Sequence, residues 1–437
     1  MKLRGACAPA LILLLAGGQA HAQHYAHLSG LIRDPSGAAV PGAAITATSD
    51  ETGFRRFTQS GGDGAYVVAS LYPGVYKITV RKPGFRTLIR FGVKLEAGRG
   101  LQLDFTLPLG SIEEEITVTG APPLLNAEDA AVGILIERER IERLPLSGRT
   151  LLSLIELSPG TIVTPATRGD AGQFTAAGQR PNAHYFAVDG VSANTGVSAG
   201  GLPAQSTGGA LPSMTALGSL HSLIPLTAVE ELRIQTSGAP TEFGRLPGAQ
   251  VLVASRSGSN EFHGSLAHYF RHGALDARDW FANRYGLQTP GRRLNQSAGG
   301  LGGPLRRNRT FFFLAYEGLR LREPFAWRAA VASDAVRSTA PGWAQPLLSL
   351  FPPPNGEPLG GGLAEWTGLH RRRARLDAAS LRLDHALTAR LTVFARYNEA
   401  HSSNDFTTLQ ANDLRVRHRS ASTGLNARLA PGAVLDL

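Results

Sequence analysis

The 437-residue chain contains one cysteine, Cys7. No disulfide forms within a chain with a single thiol, and a remainder without thiols has no thiolate nucleophile. Stability in an oxidising compartment then needs another source, and a closed sheet is one. Lysine is nearly absent. It occurs only at Lys2, Lys77, Lys82 and Lys94, so arginine carries the net charge of +10. The arginines are scattered among acidic residues. The densest group, Arg371, Arg372, Arg373 and Arg375, lies beside an expected loop. No zinc-finger spacing, aromatic RNA-binding motif or basic helix accompanies it, so no nucleic-acid partner is expected. The charge reads as a solvated surface or as loops facing anionic lipid headgroups. Beyond the first residues no stretch reaches about 18 consecutive apolar residues, which excludes a membrane-spanning helix. The mean hydropathy of -0.07 does not exclude a β-barrel, in which only alternate residues face lipid.

Catalytic patterns are also missing. There is no His-Glu-x-x-His, Cys-x-x-Cys, Gly-x-Ser-x-Gly or P-loop. The expectation is a protein that is not an enzyme, with no metal and no cofactor. His184, His263 and His268 lack metal spacing and read as polar surface or lumen residues. Arg168-Gly169-Asp170 and the sequon Asn308-Arg309-Thr310 read as chance matches in a Gly-rich loop and a hairpin.

The chain opens with Lys2 and Arg4, an apolar run from Ala8 to Ala16, and Ala20-His21-Ala22. Basic start, short apolar core and A-x-A site make residues 1–22 an expected secretory signal peptide. Seven short strand-like runs follow: 26–33, 44–49, 54–59, 65–70, 74–81, 87–95 and 101–107. Turn signals such as Asp34-Pro35-Ser36-Gly37, Gly61-Gly62-Asp63-Gly64 and Pro83-Gly84 separate them. Strands this short at this spacing predict a small β-sandwich over 23–109. The segment 136–141 has a helical pattern. Leu151, Leu152, Leu154 and Ile155 predict a further helical turn, stopped by Pro159-Gly160. Residues 161–220 read as Gly/Ser/Pro-rich loop. Beyond Phe262 the runs lengthen to about ten residues, as at 262–271, 310–322, 380–387 and 391–400. Leu381-Arg382-Leu383-Asp384 alternates as a lipid face against a wet lumen would. Phe311, Phe312, Phe313, Tyr316, Tyr269, Phe270, Trp280 and Phe281 are candidates for an interfacial aromatic girdle.

Several of these residues carry a family resemblance. Gly30, Asp34, Gly37, Pro41, Gly42, Ala43, Asp63, Gly64, Tyr66, Leu71, Gly74 and Tyr76 resemble the pattern of carboxypeptidase regulatory-like domains, accessory modules without chemistry of their own. Arg180-Pro181-Asn182, Asp189-Gly190, Glu242-Phe243-Gly244 and Ser257-Gly258-x-Asn260-x-Phe262-His263-Gly264 resemble the plug of TonB-dependent outer-membrane receptors. The Oar-like branch, with a regulatory-like sandwich before the plug, is the most similar. The resemblance implies a mainly β fold: signal peptide, transthyretin/Ig-like sandwich, linker at 110–120, α+β plug at 121–256, and an antiparallel transmembrane barrel from residue 257 to 437. It implies TonB, outer-membrane lipid and an unidentified extracellular substrate as partners.

Glu115, Ile116, Thr117, Val118 and Thr119 follow the acidic Glu113-Glu114 and resemble a TonB box. Their β-branched run suits addition to a sheet edge through main-chain hydrogen bonds. An ordinary linker strand is the plainer reading of the same residues. A barrel of about 22 strands at about 10 residues each exceeds the roughly 180 residues beyond Arg256, so the expected barrel is incomplete and the chain reads as a receptor fragment. A secreted β-sandwich adhesion protein and a secreted enzyme remain as other readings.

Overall fold

The computed structural model describes residues 25–111, 115–118, 132–144, 146, 148–163, 173–194, 212–238, 246–277, 280–287, 291–388, 390–407, 411–430 and 433–436. The expected signal peptide, Glu113, Glu114 and Thr119, the motifs 168–170 and 242–244, and residues 164–172 and 195–211 of the expected 161–220 loop lie outside these residues; the rest of that stretch is not all loop, since sheet pairing makes strands of 161–163, 174–176, 185–188 and 191–192.

Two sheets form the N-terminal region. The strands are β1 (Ala26–Arg33), β2 (Ala44–Ser49), β3 (Arg55–Gln59), β4 (Ala65–Leu71), β5 (Gly74–Arg81), β6 (Thr87–Leu95), β7 (Gly100–Gln102), β8 (Phe105–Thr106) and β9 (Glu115–Val118). One sheet has the order β4-β1-β7, with β8 also on β1. The other has the order β3-β2-β5-β6-β9. Period-two patterning supplies their common core. Tyr76, Ile78 and Val80 of β5 are buried together with Leu28, Ile32, Ile45, Val68 and Leu95. The expected strand at 101–107 is two short pieces, because the carboxylate of Asp104 between them accepts the Leu31 N–H at 2.8 Å. Two glycines of the regulatory-like pattern have steric roles. A Cβ at Gly30 would lie 2.1 Å from the Leu103 carbonyl oxygen. Gly64, at φ +78°, would bring one to 2.5 Å from the Ile32 carbonyl oxygen.

The middle region is a mixed sheet. Its strands are β10 (Val132–Glu137), β11 (Thr161–Val163), β12 (Phe174–Ala176), β13 (Tyr185–Val188), β14 (Val191–Ser192), β15 (Val229–Ser237) and β16 (Gln250–Ser255). The main sheet runs β10-β15-β16-β13-β14, and β11 pairs separately with β12. The helix expected at 136–141 begins later. Residues 132–137 are β10, and the helix spans Arg138–Arg143. The β-branched Val132, Ile134 and Ile136 pair with β15 over the register Ile134↔Ile234 and Ile136↔Leu232, so tertiary pairing overrides the local helical pattern. The turn at Leu151–Ile155 is helical and capped by the Thr150 hydroxyl, which accepts from Ser153 N–H at 3.2 Å. All four of its candidate core residues are buried.

The C-terminal region is one antiparallel sheet of β17 (His263–His272), β18 (Arg293–Arg306), β19 (Thr310–Ala332), β20 (Pro358–Gly360), β21 (Leu363–Thr388), β22 (Leu391–Thr407), β23 (Ala411–Ala430) and β24 (Ala433–Asp436). The order is β17-β18-β19-β21-β22-β23-β24, with β20 beside β21, and among the described residues it is open. At one end the strands are joined by at most three residues, at 307–309, 389–390 and 431–432. At the other end, connections 273–292 and 333–362 are long, and the third, 408–410, has three residues. The Arg371–Arg375 group, expected beside a loop, lies within β21. No helix among the described residues is long and apolar enough to cross a membrane.

The two faces of this sheet differ. Ala374, Leu376, Ala378, Ser380 and Arg382 are buried against the middle region, whereas Leu381 and Leu383 are 38% and 39% exposed. The expected apolar/charged alternation is present, but folded chain rather than water meets the charged side. The aromatic-girdle expectation fails for two residues. Phe311 and Phe313 are buried, with Phe313 in the core of the middle region, whereas Tyr269 remains exposed with the Arg149 guanidinium 4.4 Å over its ring. Strand parity turns Phe311 and Phe313 inward, because a run of three phenylalanines cannot place all three on one face.

Candidate functional site

Two places hold the residues of interest: the seam between the middle region and the C-terminal sheet, and the outer edge of the sandwich.

The seam begins with a tight turn. Val188 pairs with Val191, so Asp189-Gly190 closes the β13–β14 hairpin in two residues. Both have positive φ, 53° and 78°, as a type I′ turn requires, and Asp tolerates that region. The turn presents the Asp189 carboxylate, fully buried, to two arginines from different strands. Arg382 of β21 lies 3.1 Å away and Arg396 of β22 2.9 Å away. Ser255 of β16 donates its backbone N–H and its hydroxyl, each at 2.8 Å. Arg382 also grips Asp384 through Nε at 2.9 Å and Nη2 at 2.8 Å, and lies 4.8 Å over the Phe394 ring. The Ser257 hydroxyl donates to Asp384 at 2.8 Å. Two arginines and two aspartates thus balance in a largely buried cluster. Buried ions are tolerated when each is paired and hydrogen-bonded.

Further along the seam, Glu317 of β19 accepts from the Thr227 N–H at 2.8 Å and its hydroxyl at 2.5 Å, and lies 2.8 Å from His221 Nε2. Asn398 donates to the Ser222 carbonyl at 2.7 Å, and Ser402 accepts from Ala216 N–H at 2.8 Å. These contacts of Glu317, Asn398 and Ser402 cross from the middle region to the sheet. Local patterns do not reveal these pairs, since Asp189 and Arg382 are 193 positions apart. The one available signal was a charged residue inside an otherwise apolar strand run.

His184, read from sequence as a surface or lumen residue, is fully buried. It stacks on Phe174 at 4.4 Å. Nδ1 accepts the Ala249 N–H at 3.0 Å, and Nε2 donates to the Phe174 carbonyl at 3.1 Å. That pattern is the neutral Nε2–H tautomer, and burial depresses its pKa to about 4. Its role is packing, not metal ligation. Among the described residues no group of three or more His, Cys, Asp or Glu could hold a metal ion.

At the sandwich edge, the TonB-box candidate is not loose chain. Glu115, Ile116, Thr117 and Val118 form β9, parallel to β6 in the register Thr87↔Glu115 to Arg90↔Val118. Thr117 is exposed. The strand ends the sheet order, so its far edge has no strand neighbour among the described residues.

The sandwich also docks on the rest of the chain. Glu231 of β15 accepts from Ala97 N–H at 2.7 Å, Arg233 donates to the Gly98 carbonyl at 2.8 Å, and Lys94 lies 2.5 Å from Glu137. Burial raises Glu231 to about 7 against the opposing effect of the Ala97 N–H. Asn260 donates its N–H to the Glu51 carbonyl at 2.9 Å, and Arg428 lies 4.0 Å over Phe57. These contacts put the sandwich at the short-turn end of the C-terminal sheet.

Comparison with known proteins fits this architecture. Residues 27–108 match the carboxypeptidase regulatory-like domain and residues 254–342 the outer membrane beta barrel domain. The chain is therefore a mainly β protein of the bacterial outer membrane with an N-terminal sandwich. It is a homologue of the TonB-dependent transporter Oar of Myxococcus xanthus, with 26% identity over 315 residues, 69% of this chain and 27% of that protein. The chain thus spans about a quarter of the length of this curated relative. Among solved structures, the outer membrane transporter YddB from Escherichia coli has a TM-score of 0.47 at 14% identity over 68% of this chain and 37% of that one. The siderophore receptor PirA from Acinetobacter baumannii has 0.43 at 15% identity, over 68% and 37%.

Proposed function

We propose that the chain is the front part of a TonB-dependent outer-membrane receptor that takes up or binds a large extracellular substrate. The domain order is signal peptide 1–22, sandwich 23–109, box-bearing linker 110–120, plug 121–256 and first barrel strands 257–437. The observation that carries this reading is the plug seam. A separate mixed sheet packs on one face of a long-stranded antiparallel sheet through buried ion pairs, while the opposite face exposes Leu301, Leu314, Leu381 and Leu383. A soluble protein has little reason to expose such a stripe, whereas a barrel wall has lipid to cover it. Short turns mark the periplasmic end, so the sandwich and β9 face the periplasm and the long connections face outward.

Substrate passage requires a path through the plug, and the seam sets what must give way. Asp189, Ser222, Leu223 and Ser255 are the plug groups held by Arg382, Arg396 and Asn398. A partner pulling from the periplasm acts on the segment just before the plug, and Glu115–Thr119 is that segment. TonB is the partner of the related transporter's class, and main-chain addition to the free edge of β9 is the mode the backbone offers. No covalent chemistry is assigned.

Expression with outer-membrane fractionation tests the receptor reading. Recovery in the outer-membrane fraction is expected, and recovery of the full chain as a soluble periplasmic monomer overturns it.

A further inference from the structure

One row of residues on the C-terminal sheet contradicts ordinary sheet design. Arg293 of β18, Arg322 of β19 and Arg373 of β21 are directly opposite one another, in the register Arg293↔Arg322↔Arg373. Like charges directly opposite across strands destabilise a sheet. Arg320 and Arg375 form a second opposed pair. Arg320 is neutralised by Asp377, at 2.8 and 3.0 Å. Asp405 of β22 stands opposite Arg373 and ends the row, but no ion pair or hydrogen bond holds Arg293, Arg322, Arg373 or Arg375 among the described residues.

The row is on the outward face. Ala374, Leu376 and Ala378 are buried against the plug, and Arg373 and Arg375, on the opposite parity, are exposed with Arg293 and Arg322. On this same face of β19 the order is Leu314, Tyr316, Gly318, Arg320, Arg322. The charge therefore begins where the exposed apolar stripe ends, at the long-connection end of the strands. A cleft of about 270 Å³ at this end of the strands is lined by His272, Arg293, Arg322 and Arg373 of the row and by Glu323 and Arg372 of the opposite parity. Glu323 offsets little of this charge, since Arg292 and Arg372 already share it.

We propose that this outward arginine row binds the phosphate groups of lipid headgroups in the outer leaflet, directly above the apolar belt. The proposal rests on the membrane reading of the sheet. Guanidinium groups bind phosphate oxygens bidentately, and one phosphate between two rows relieves the repulsion that the register creates. The apolar residues below the row favour a phosphate carried on a lipid over one free in solution. Continuity of belt and row on one face is the feature that a soluble anion does not use.

The test uses the full chain extracted from the outer-membrane fraction in non-ionic detergent. It is titrated with a bis-phosphorylated glycolipid of the lipid A type, with the same glycolipid after phosphatase treatment, and with inorganic phosphate. The phosphorylated lipid should bind. The combined variant Arg293→Gln, Arg322→Gln and Arg373→Gln should weaken that binding by about a hundredfold, the order expected for three arginines near a membrane surface. The dephosphorylated lipid should bind weakly and equally to both proteins. Inorganic phosphate binding as tightly as the lipid overturns the lipid assignment, and unchanged lipid affinity of the variant overturns the site. Thermal stability of the lipid-free variant should be equal or higher, because a repelling row has been removed. A large fall would instead assign the row a structural role and overturn the proposal. Absence of the chain from the outer-membrane fraction defeats the receptor reading itself, whereas presence there with unchanged lipid affinity defeats only this inference.

Discussion

His184 shows how a titratable side chain acts through burial. Its folded pKa, about 4, is below the ordinary value of 6.5. Between those values the unfolded chain binds a proton that the folded plug rejects. Plug stability is therefore full above pH 6.5 and is lost as pH falls towards 4. The protection factor of the Ala249 amide, whose N–H donates to the ring, should fall across that window once intrinsic exchange is corrected for pH. His184→Leu should remove the dependence while costing about 1–3 kcal/mol for the unpaired Ala249 N–H and Phe174 carbonyl. Asp189 poses the complementary case. Asp189→Ala leaves Arg396 without its carboxylate and Arg382 with one of two. A loss of about 3–5 kcal/mol is expected, the range for breaking a buried ion pair from one side. Protease susceptibility of the plug in urea measures it, and a near-neutral result contradicts the assigned role of the seam. Sequence offered Asp189-Gly190 only within the plug resemblance and Arg382 only as a lumen-facing charge in an alternating strand. Their pairing was illegible, because a contact between distant strands leaves no periodic trace in either.

The strands of the sandwich were legible almost residue for residue, since Tyr76, Ile78 and Val80 alternate with polar neighbours between strong turn signals. β10 was not, because Ile136 to Ile141 satisfies a helical spacing until β15 supplies a pairing edge. β18 and β23 carry so much Gly, Ser and Arg that neither apolar alternation nor a run announces them. β9 was legible in propensity but not in placement on β6. Val118→Pro removes a backbone donor from that strand, and loss of capture by a periplasmic TonB fragment is expected. Unchanged capture contradicts the box assignment. The joint between sandwich and plug has its own pH signature. Glu231 is raised from 4.5 to about 7, so the docked state retains a proton that the undocked state has lost between those values. Docking is thus strongest at low pH and weakens as pH rises through 7, opposite in sign to the response of His184. Glu231→Gln should flatten this profile, read as protection of the Ala97 amide, while retaining an acceptor for it.

The described residues combine an N-terminal sandwich, a mixed sheet and a long-stranded antiparallel sheet in one packing arrangement, which the proposed function takes as periplasmic module, plug and part of a barrel wall. This architecture depends on one geometric claim: successive residues of β21 face the plug and the lipid in turn. The near absence of cysteine makes that claim directly testable. In a Cys7→Ser background, single cysteines at Ala379, Ser380, Leu381, Arg382 and Leu383 each carry a nitroxide label in the outer membrane. Accessibility to lipid-soluble oxygen should be high at 379, 381 and 383 and low at 380 and 382, with little access to an aqueous nickel chelate at any of them. Strong aqueous access at 381 and 383, or no alternation along the five positions, would contradict the account.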